Sequence, residues 1–333
     1  MGMADTVTKE YMRSNKVFAD AFNYLIYDWE QVVKSALLQE LDTTEIAIPF
    51  ALDENENSAE DVVQKYRDVL KSAVIMQDAE VSYILLGVEN QTEIHYAMPV
   101  RNIIYDALQY GKQISEVAKR HKSKGDRKGH NKGEYLSGFY KEDRIRPVIT
   151  LVVHFGADEW DGPLSLYDMM DLKNERLLEY VQNYRIFLID PYKLTKDDLK
   201  KFSSSLGDVL GYIKYSKDKK ALSKFLNDNQ VMIMDNDAAR VIRDVTNTPI
   251  FVPDGKGEID MCKAVRDMID ESKQEGKAEG KAEGMAVGEL NKAKKMALKM
   301  YKKGDSIEEI AEMVEFSVDQ VKEWINSAVW EQV

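Results

Sequence analysis

Residues 65–95, KYRDVLKSAVIMQDAEVSYILLGVENQTEIH, constrain this chain more than any other stretch. Two runs rich in Val, Ile, Leu and Tyr flank a polar break at Gln77-Asp78-Ala79-Glu80. That is the pattern of two strands joined by a tight turn. A turn centred between Asp78 and Ala79 sets Gln77 opposite Glu80, Val74 opposite Tyr83 and Asp68 opposite Glu89. Directly opposed residues have Cβ atoms about 5 Å apart. Two carboxylates from the two ends of the stretch therefore meet at the open end of a β-ribbon. Paired acids resist ionising together unless a cation compensates them, and their oxygens suit a hard divalent ion. Side chains alternate across a strand, so Glu89 and Gln91 share a face, which Glu93 and His95 continue if the strand runs on.

The rest of the chain has to build a core around this ribbon. With 333 residues, 44% of them hydrophobic, it has material for one large domain or two smaller ones. No apolar run approaches the ~20 residues of a membrane helix, so no membrane partner is expected. The opening MGMADTVTKEYMRSNK lacks the apolar stretch of a secretory signal. Cys262 is the sole cysteine, which excludes a disulfide framework and cysteine-based zinc sites and fits a reducing, cytoplasmic setting. The net charge of −12 argues against a nucleic-acid partner in sum, but the distribution of charge matters more. Basic residues gather in AKRHKSKGDRKGHNKG (118–133), where Asp126 is the only acid.

Residues 15–40 carry apolar side chains at helical spacing, with Val17, Phe18, Ala21, Phe22 and Leu25 on one side and Asp20 and Asn23 sharing a face. A helix is expected over 98–119, with Pro99 tolerated in its first turn and Arg101 and Tyr105 four apart on one face. The segment 119–135 lacks apolar periodicity and is expected to be an exposed loop. Its Lys119, Arg120, Lys122, Lys124, Arg127, Lys128 and Lys132 offer a salt-sensitive contact with phosphates near the ribbon's acidic end; the plain alternative is a solvated insertion. Apolar strands are expected over 147–155 and 184–189, giving at least four strands with helices between them, a small mixed α/β sheet. His154 and Trp160 read as packed core. Residues 195–250 read as helical, with apolar spacing near 3.6 in 201–216, 219–234 and 237–247, and as a cap or a homodimer surface.

Pro253-Asp254-Gly255 breaks the chain. Beyond it, Gly276, Gly280, Gly284 and Gly288 recur every fourth residue in an extended helix acting as a spacer, or in a low-complexity linker. Each Gly costs a helix about 1 kcal/mol against Ala. Ser306 with Glu309, and Ser317 with Gln320, match capping boxes that open short helices over 307–314 and 318–325. With the helix before them they are similar to a helix-turn-helix. The reading helix would present Asp319, Gln320, Lys322 and Glu323, a poor match for DNA, so a small helical interaction module is an equal reading.

Asp68 followed by Glu89-Asn90-Gln91 resembles the PD-(D/E)xK nuclease signature, with Gln91 where a Lys usually stands. The ordered blocks KVFADAFNYLIYD (16–28), KYRDVL (65–70), VENQTEIHYAMPVRNIIYDALQY (88–110) and PVITLVVHFGADEWDGPLSL (147–166) together resemble the recombination-promoting nucleases, the putative-transposase family of that superfamily. The resemblance implies a restriction-endonuclease-like mixed sheet core flanked by helices over 1–194. A helical cap or dimerisation segment over 195–252, a Gly-repeat helix or linker over 253–291 and a helix-turn-helix-like module over 292–333 would follow as a helical C-terminal extension. It further implies Mg²⁺ or Mn²⁺ held by Asp68, Glu89 and the backbone carbonyl of Asn90, with Gln91 at the water-orienting position. Asp20 would add an acid from the first helix, its plain alternative being a surface Asp on an amphipathic helix, and His95 and Tyr105 would be accessory groups. Arg101 would either hold a phosphate or pair with Glu89 or Glu93. The implied function is metal-dependent hydrolysis of DNA phosphodiester bonds in recombination or transposition. The alternative is a catalytically inactive mobile-element remnant that binds DNA or protein.

Overall fold

The computed structural model describes residues 2–42, 44–46, 64–66, 68–77, 80–123, 131–171 and 175–330. The chain divides into two compact units, Met1–Ala264 and Val265–Val333.

Two helices open the first unit. In α1 (Met3–Met12) the Asp5 carboxylate accepts the Gly2 N–H and steadies the first turn, while Thr8, Tyr11 and Met12 are buried. In α2 (Asn15–Tyr27) the spacing of Val17, Phe18, Ala21 and Phe22 places all four in the core. Three short strands follow, β1 (Gln39–Glu40), β2 (Thr44–Ile46) and β3 (Gln64–Tyr66), the last two forming a separate antiparallel pair.

The ribbon consists of β4 (Val69–Gln77) and β5 (Glu80–Gln91), antiparallel, with Gln77 paired to Glu80 and Val74 to Tyr83. Its turn, Asp78-Ala79, lies outside the described residues. The helix α3 (Met98–Ser123) then crosses over, the short α4 (Lys132–Ser137) follows, and β6 (Val148–His154) joins β5 in parallel. A parallel partner needs such a crossover. With β7 (Phe187–Ile189) parallel to β6 and β1 antiparallel to β4, the main sheet is mixed, in the order β1-β4-β5-β6-β7. From Ile84 to Gln91 every side chain of β5 is buried, as a strand covered on both faces requires. One cover is α3, pinned where the Asp106 carboxylate accepts the Thr150 and Tyr184 hydroxyls at 2.5 and 2.6 Å. On the other face the buried Lys71 reaches the Arg13 carbonyl and the Asn15 side chain, beside α1 and α2.

Two expectations need correction. The loop expected over 119–135 is helical through Ser123 and again from Lys132. A reciprocal capping box between Asn131 and Glu134 opens α4, and Arg120, His121 and Lys122 favour the C-terminal end of α3. The helix expected over 219–234 stops early, and a strand takes its last residues. After α5 (Lys196–Lys201), α6 (Leu206–Tyr215) and α7 (Lys219–Asn229), Gln230 takes a positive φ of 49° and ends the helix. Then β8 (Ile233–Asp235) forms, followed by α8 (Asn236–Thr246) and by β9 (Glu258–Asp260), which pairs with β8. Met232 and Met234 are buried while Val231 and Ile233 are exposed. Because all four residues are apolar, that period of two is invisible in the sequence.

The helix α9 (Met261–Lys303) runs through the glycine repeats, and a Cβ added at Gly276, Gly280, Gly284 or Gly288 meets nothing within 4 Å. In the second unit, α10 (Ile307–Val314) and α11 (Val318–Trp330) pack Ile310, Val314, Val321, Trp324 and Ile325 around Ala297. Both expected capping interactions are present, Ser306 with Glu309 and Ser317 with Gln320. Among the described residues no helix is long and apolar enough to cross a membrane.

Candidate active site

The register of β4 and β5 carries one step past Val69–Val88 to bring Asp68 beside Glu89 and Asn90. Asp68 is the last residue before β4, and its Oδ2 accepts the Asn90 backbone N–H at 2.8 Å. A cavity of about 270 Å³ opens at this end of the sheet. Its walls come from the end of β5 (Asn90 and Gln91), from the chain just past it (Thr92, Glu93, Ile94 and His95), from Asp68, from Arg101 on α3 and from Asp5 on α1.

Glu89 is fully buried, and its Oε2 lies 3.0 Å from Nη2 of Arg101. The Arg101 Nε donates to the Tyr105 hydroxyl at 3.3 Å. Glu89 bears on the protonation of both Arg101 and Tyr105. Burial works against the Arg101 charge, but Glu89 beside it, with Tyr105, holds the guanidinium above its ordinary range. Burial, reinforced by Glu89, pushes the Tyr105 phenol up to about 12. Burial also raises the Asp68 carboxyl, a shift that the Asn90 N–H, Lys9 and Arg101 oppose and Asp5 reinforces.

Gln91, on the same face as Glu89, donates from Nε2 to the Asn90 carbonyl at 2.9 Å. The Asn90 side chain is only 7% exposed, and neither its Oδ1 nor its Nδ2 has a hydrogen-bond partner among the described residues. His95 borders the cavity and accepts the Ala97 N–H at Nδ1. His154 is core: its ring meets the Gln91 and Asp158 carbonyls and packs edge-on against Trp160.

Several expected residues lie elsewhere. Asp20 does not border the cavity. Its two oxygens accept the backbone N–H and hydroxyl of both Ser203 and Ser204, at 2.7 to 3.1 Å, just before α6. Lys119, Arg120 and Lys122 are at the far end of α3 from Arg101, about 27 Å along the axis at ~1.5 Å per residue. The expectation that they border the acidic end of the ribbon is therefore corrected: one continuous helix separates them from it. Arg120 instead borders a larger cleft of about 640 Å³, with Lys112, Arg144 and Arg146. Lys132 is exposed at the start of α4; Lys124, Arg127 and Lys128 lie outside the described residues. Among the described residues no group of three or more His, Cys, Asp or Glu side chains is arranged to hold a metal ion.

Two residues of the site were not anticipated, and both come from α1. Asp5 Oδ1 accepts the Thr92 hydroxyl at 3.0 Å, and the Lys9 ammonium stands 4.0 Å from Asp68 Oδ1. Their spacing of four puts them on one helical face. That spacing was visible, but nothing local joins it to a ribbon so far along the chain.

A family described as "Putative transposase, YhgA-like" matches residues 36–238. The matched span contains Asp68, Glu89, Asn90, Gln91, Arg101 and Tyr105, and leaves out Asp5, Lys9 and Asp20. No curated protein and no solved structure matches the chain. The match spans more than half of the 333 residues, and the chain belongs to the YhgA-like putative transposase family.

Proposed function

We propose that the protein is a metal-dependent endonuclease that hydrolyses DNA phosphodiester bonds in transposition or recombination. Family membership supplies the link to transposition and to DNA. The observation that carries the chemistry is the Asp68–Asn90 hydrogen bond, which fastens one acid of the expected motif to the strand bearing the other. A mixed sheet in which a ribbon, a crossover helix and a parallel strand follow in succession supports a restriction-endonuclease-like core.

The donors at the cavity are carboxylate and amide oxygens, the type that a hard cation such as Mg²⁺ or Mn²⁺ prefers. The buried Asn90 amide, without a hydrogen-bond partner, marks the site as built for a polar occupant. Asp68, Glu89 and the Asn90 carbonyl would hold the ion, and when bound it supplies Lewis acidity and charge neutralisation to the phosphate. Gln91 orients a water by hydrogen bonding without adding charge. Arg101 pairs with Glu89, and Tyr105, neutral at working pH, holds the guanidinium in place.

Supercoiled plasmid with Mg²⁺ or Mn²⁺, with and without chelator, tests this reading. Metal-dependent nicking that disappears in Asp68→Ala and Glu89→Ala is expected, and equal nicking by those variants refutes the assignment. The burial of Glu89 against Arg101 favours a second reading, an inactive remnant that binds DNA or protein. On that reading titration calorimetry detects no Mn²⁺ binding.

A further inference from the structure

We propose that Lys9 is the cation that meets the substrate phosphate in this cleft, with the Asn90 amide beside it as a second phosphate ligand. The inference rests on the nuclease reading and names the group that receives the phosphate there.

Phosphodiester hydrolysis puts extra negative charge on the phosphate in the transition state, so a fixed positive group nearby contributes strongly. Gln91 is neutral. Two cations are described close to Asp68. Arg101 is committed, 3.0 Å from a buried carboxylate and braced by Tyr105. Lys9 is held more loosely: its nearest carboxylate oxygen, on Asp68, is 4.0 Å away, and its side chain is 19% exposed. It is therefore the less committed of the two cations, and Asp68, which it approaches, borders the cavity.

The helix bearing Lys9 is fixed against the site. The Asp5–Thr92 hydrogen bond ties its first turn to the chain leaving β5, and Tyr11 and Met12 anchor its end in the core. Lys9 sits between these attachments.

The Asn90 amide is the independent observation. Alternation along β5 points Asn90 away from the Glu89 and Gln91 face, toward the face that Lys71 shares. Lys71 bonds the segment joining α1 to α2, so that face belongs to these helices. A buried amide with no partner carries a desolvation cost that a bound polar group offsets. A phosphate oxygen accepting from both Nζ of Lys9 and Nδ2 of Asn90 satisfies the donor half of that amide.

The test compares the wild-type chain with Lys9→Gln and Lys9→Arg in two measurements. One is plasmid nicking with Mn²⁺. The other is the salt dependence of affinity for a short DNA duplex in Ca²⁺ buffer. Lys9→Gln is expected to lower kcat by about 10²-fold or more and to reduce the slope of log affinity against log salt by about 0.9. Lys9→Arg keeps the charge and should recover most of both, which a purely structural role for Lys9 does not predict. Lys9→Gln cutting at the wild-type rate with an unchanged slope, while Asp68→Ala is dead, overturns the inference and leaves the nuclease reading intact. A wild-type protein that never cuts overturns the nuclease reading. In that case the slope alone decides: a drop of about 0.9 in Lys9→Gln keeps Lys9 as a phosphate ligand, and no drop removes it.

Discussion

The carboxylate of Asp68 accepts the backbone N–H of Asn90 at 2.8 Å, so an acid at the start of one strand is fixed to the motif strand beside it. Burial raises this carboxyl above its ordinary 3.8. A folded-state pKa above the unfolded one means that the native state holds its proton more tightly. Stability is then lost as pH rises from about 3.8 through the folded value, and the cost is complete above it. Asp68→Asn removes the charge and keeps an oxygen for the Asn90 N–H. Its Tm at pH 7 is expected to equal or exceed wild type, with a shallower decline from pH 4 upward, while nicking falls by about 10²-fold or more. Thermal melts across that range, run with plasmid assays, check both; a variant clearly less stable at pH 7 contradicts the account.

Arg101 and Glu89 form a buried ion pair, and its two members are not equivalent. Glu89 is fully enclosed, whereas the Arg101 side chain is 25% exposed. Arg101→Ala withdraws the guanidinium from an enclosed carboxylate and should cost about 3–5 kcal/mol at pH 7. Glu89→Gln with Arg101→Met removes both charges and should cost clearly less than the single change. Urea denaturation of the two variants decides this, and a double variant no better than Arg101→Ala argues against the pair as described.

What could be read in advance follows the range of the interactions involved. The ribbon was legible because its pairing depends on a turn and on neighbours in one short stretch: Val74–Tyr83 and Gln77–Glu80 follow from symmetry about Asp78-Ala79. The capping boxes at Ser306 and Ser317 are legible for the same reason. Met232 and Met234 were misread because an all-apolar run hides its period. The two readings of Asp20 cannot be separated in the sequence because the serines that hold it lie more than 180 residues away. Asp5 and Lys9 were missed likewise: they form an ordinary spacing of four until tertiary packing lays α1 against β5.

The position of Asp20 separates a structural role from a catalytic one. Four hydrogen bonds to one carboxylate join α2 to the start of α6. Bonds to a charged acceptor contribute about 1.5–3 kcal/mol each and do not add fully, so Asp20→Ala should cost about 3–4 kcal/mol. Its nicking rate per folded molecule should stay within about twofold of wild type, because its oxygens are spent on Ser203 and Ser204 and not on the cavity. Denaturant titration and the plasmid assay, both below the melting temperature, give the two numbers. A stable Asp20→Ala protein without nicking activity would return Asp20 to the site.

The second unit permits a sharper experiment because its core is its own. Trp324 is 8% exposed and packs against Phe316, Val321 and the face of α9 that carries Ala297. Truncating a buried Trp costs about 3–5 kcal/mol, and so small a helical cluster has little more than that to lose. Trp324→Ala should therefore melt α10 and α11 while the sheet of the first unit, with its separate core, stays folded. Hydrogen exchange resolves the two: amides of 307–327 should lose protection, and those of β5 and β6 should keep it. Plasmid nicking should persist, since every residue assigned to the cleft lies in Met1–Ala264. Loss of protection in β5 on this substitution would mean that the two units fold as one.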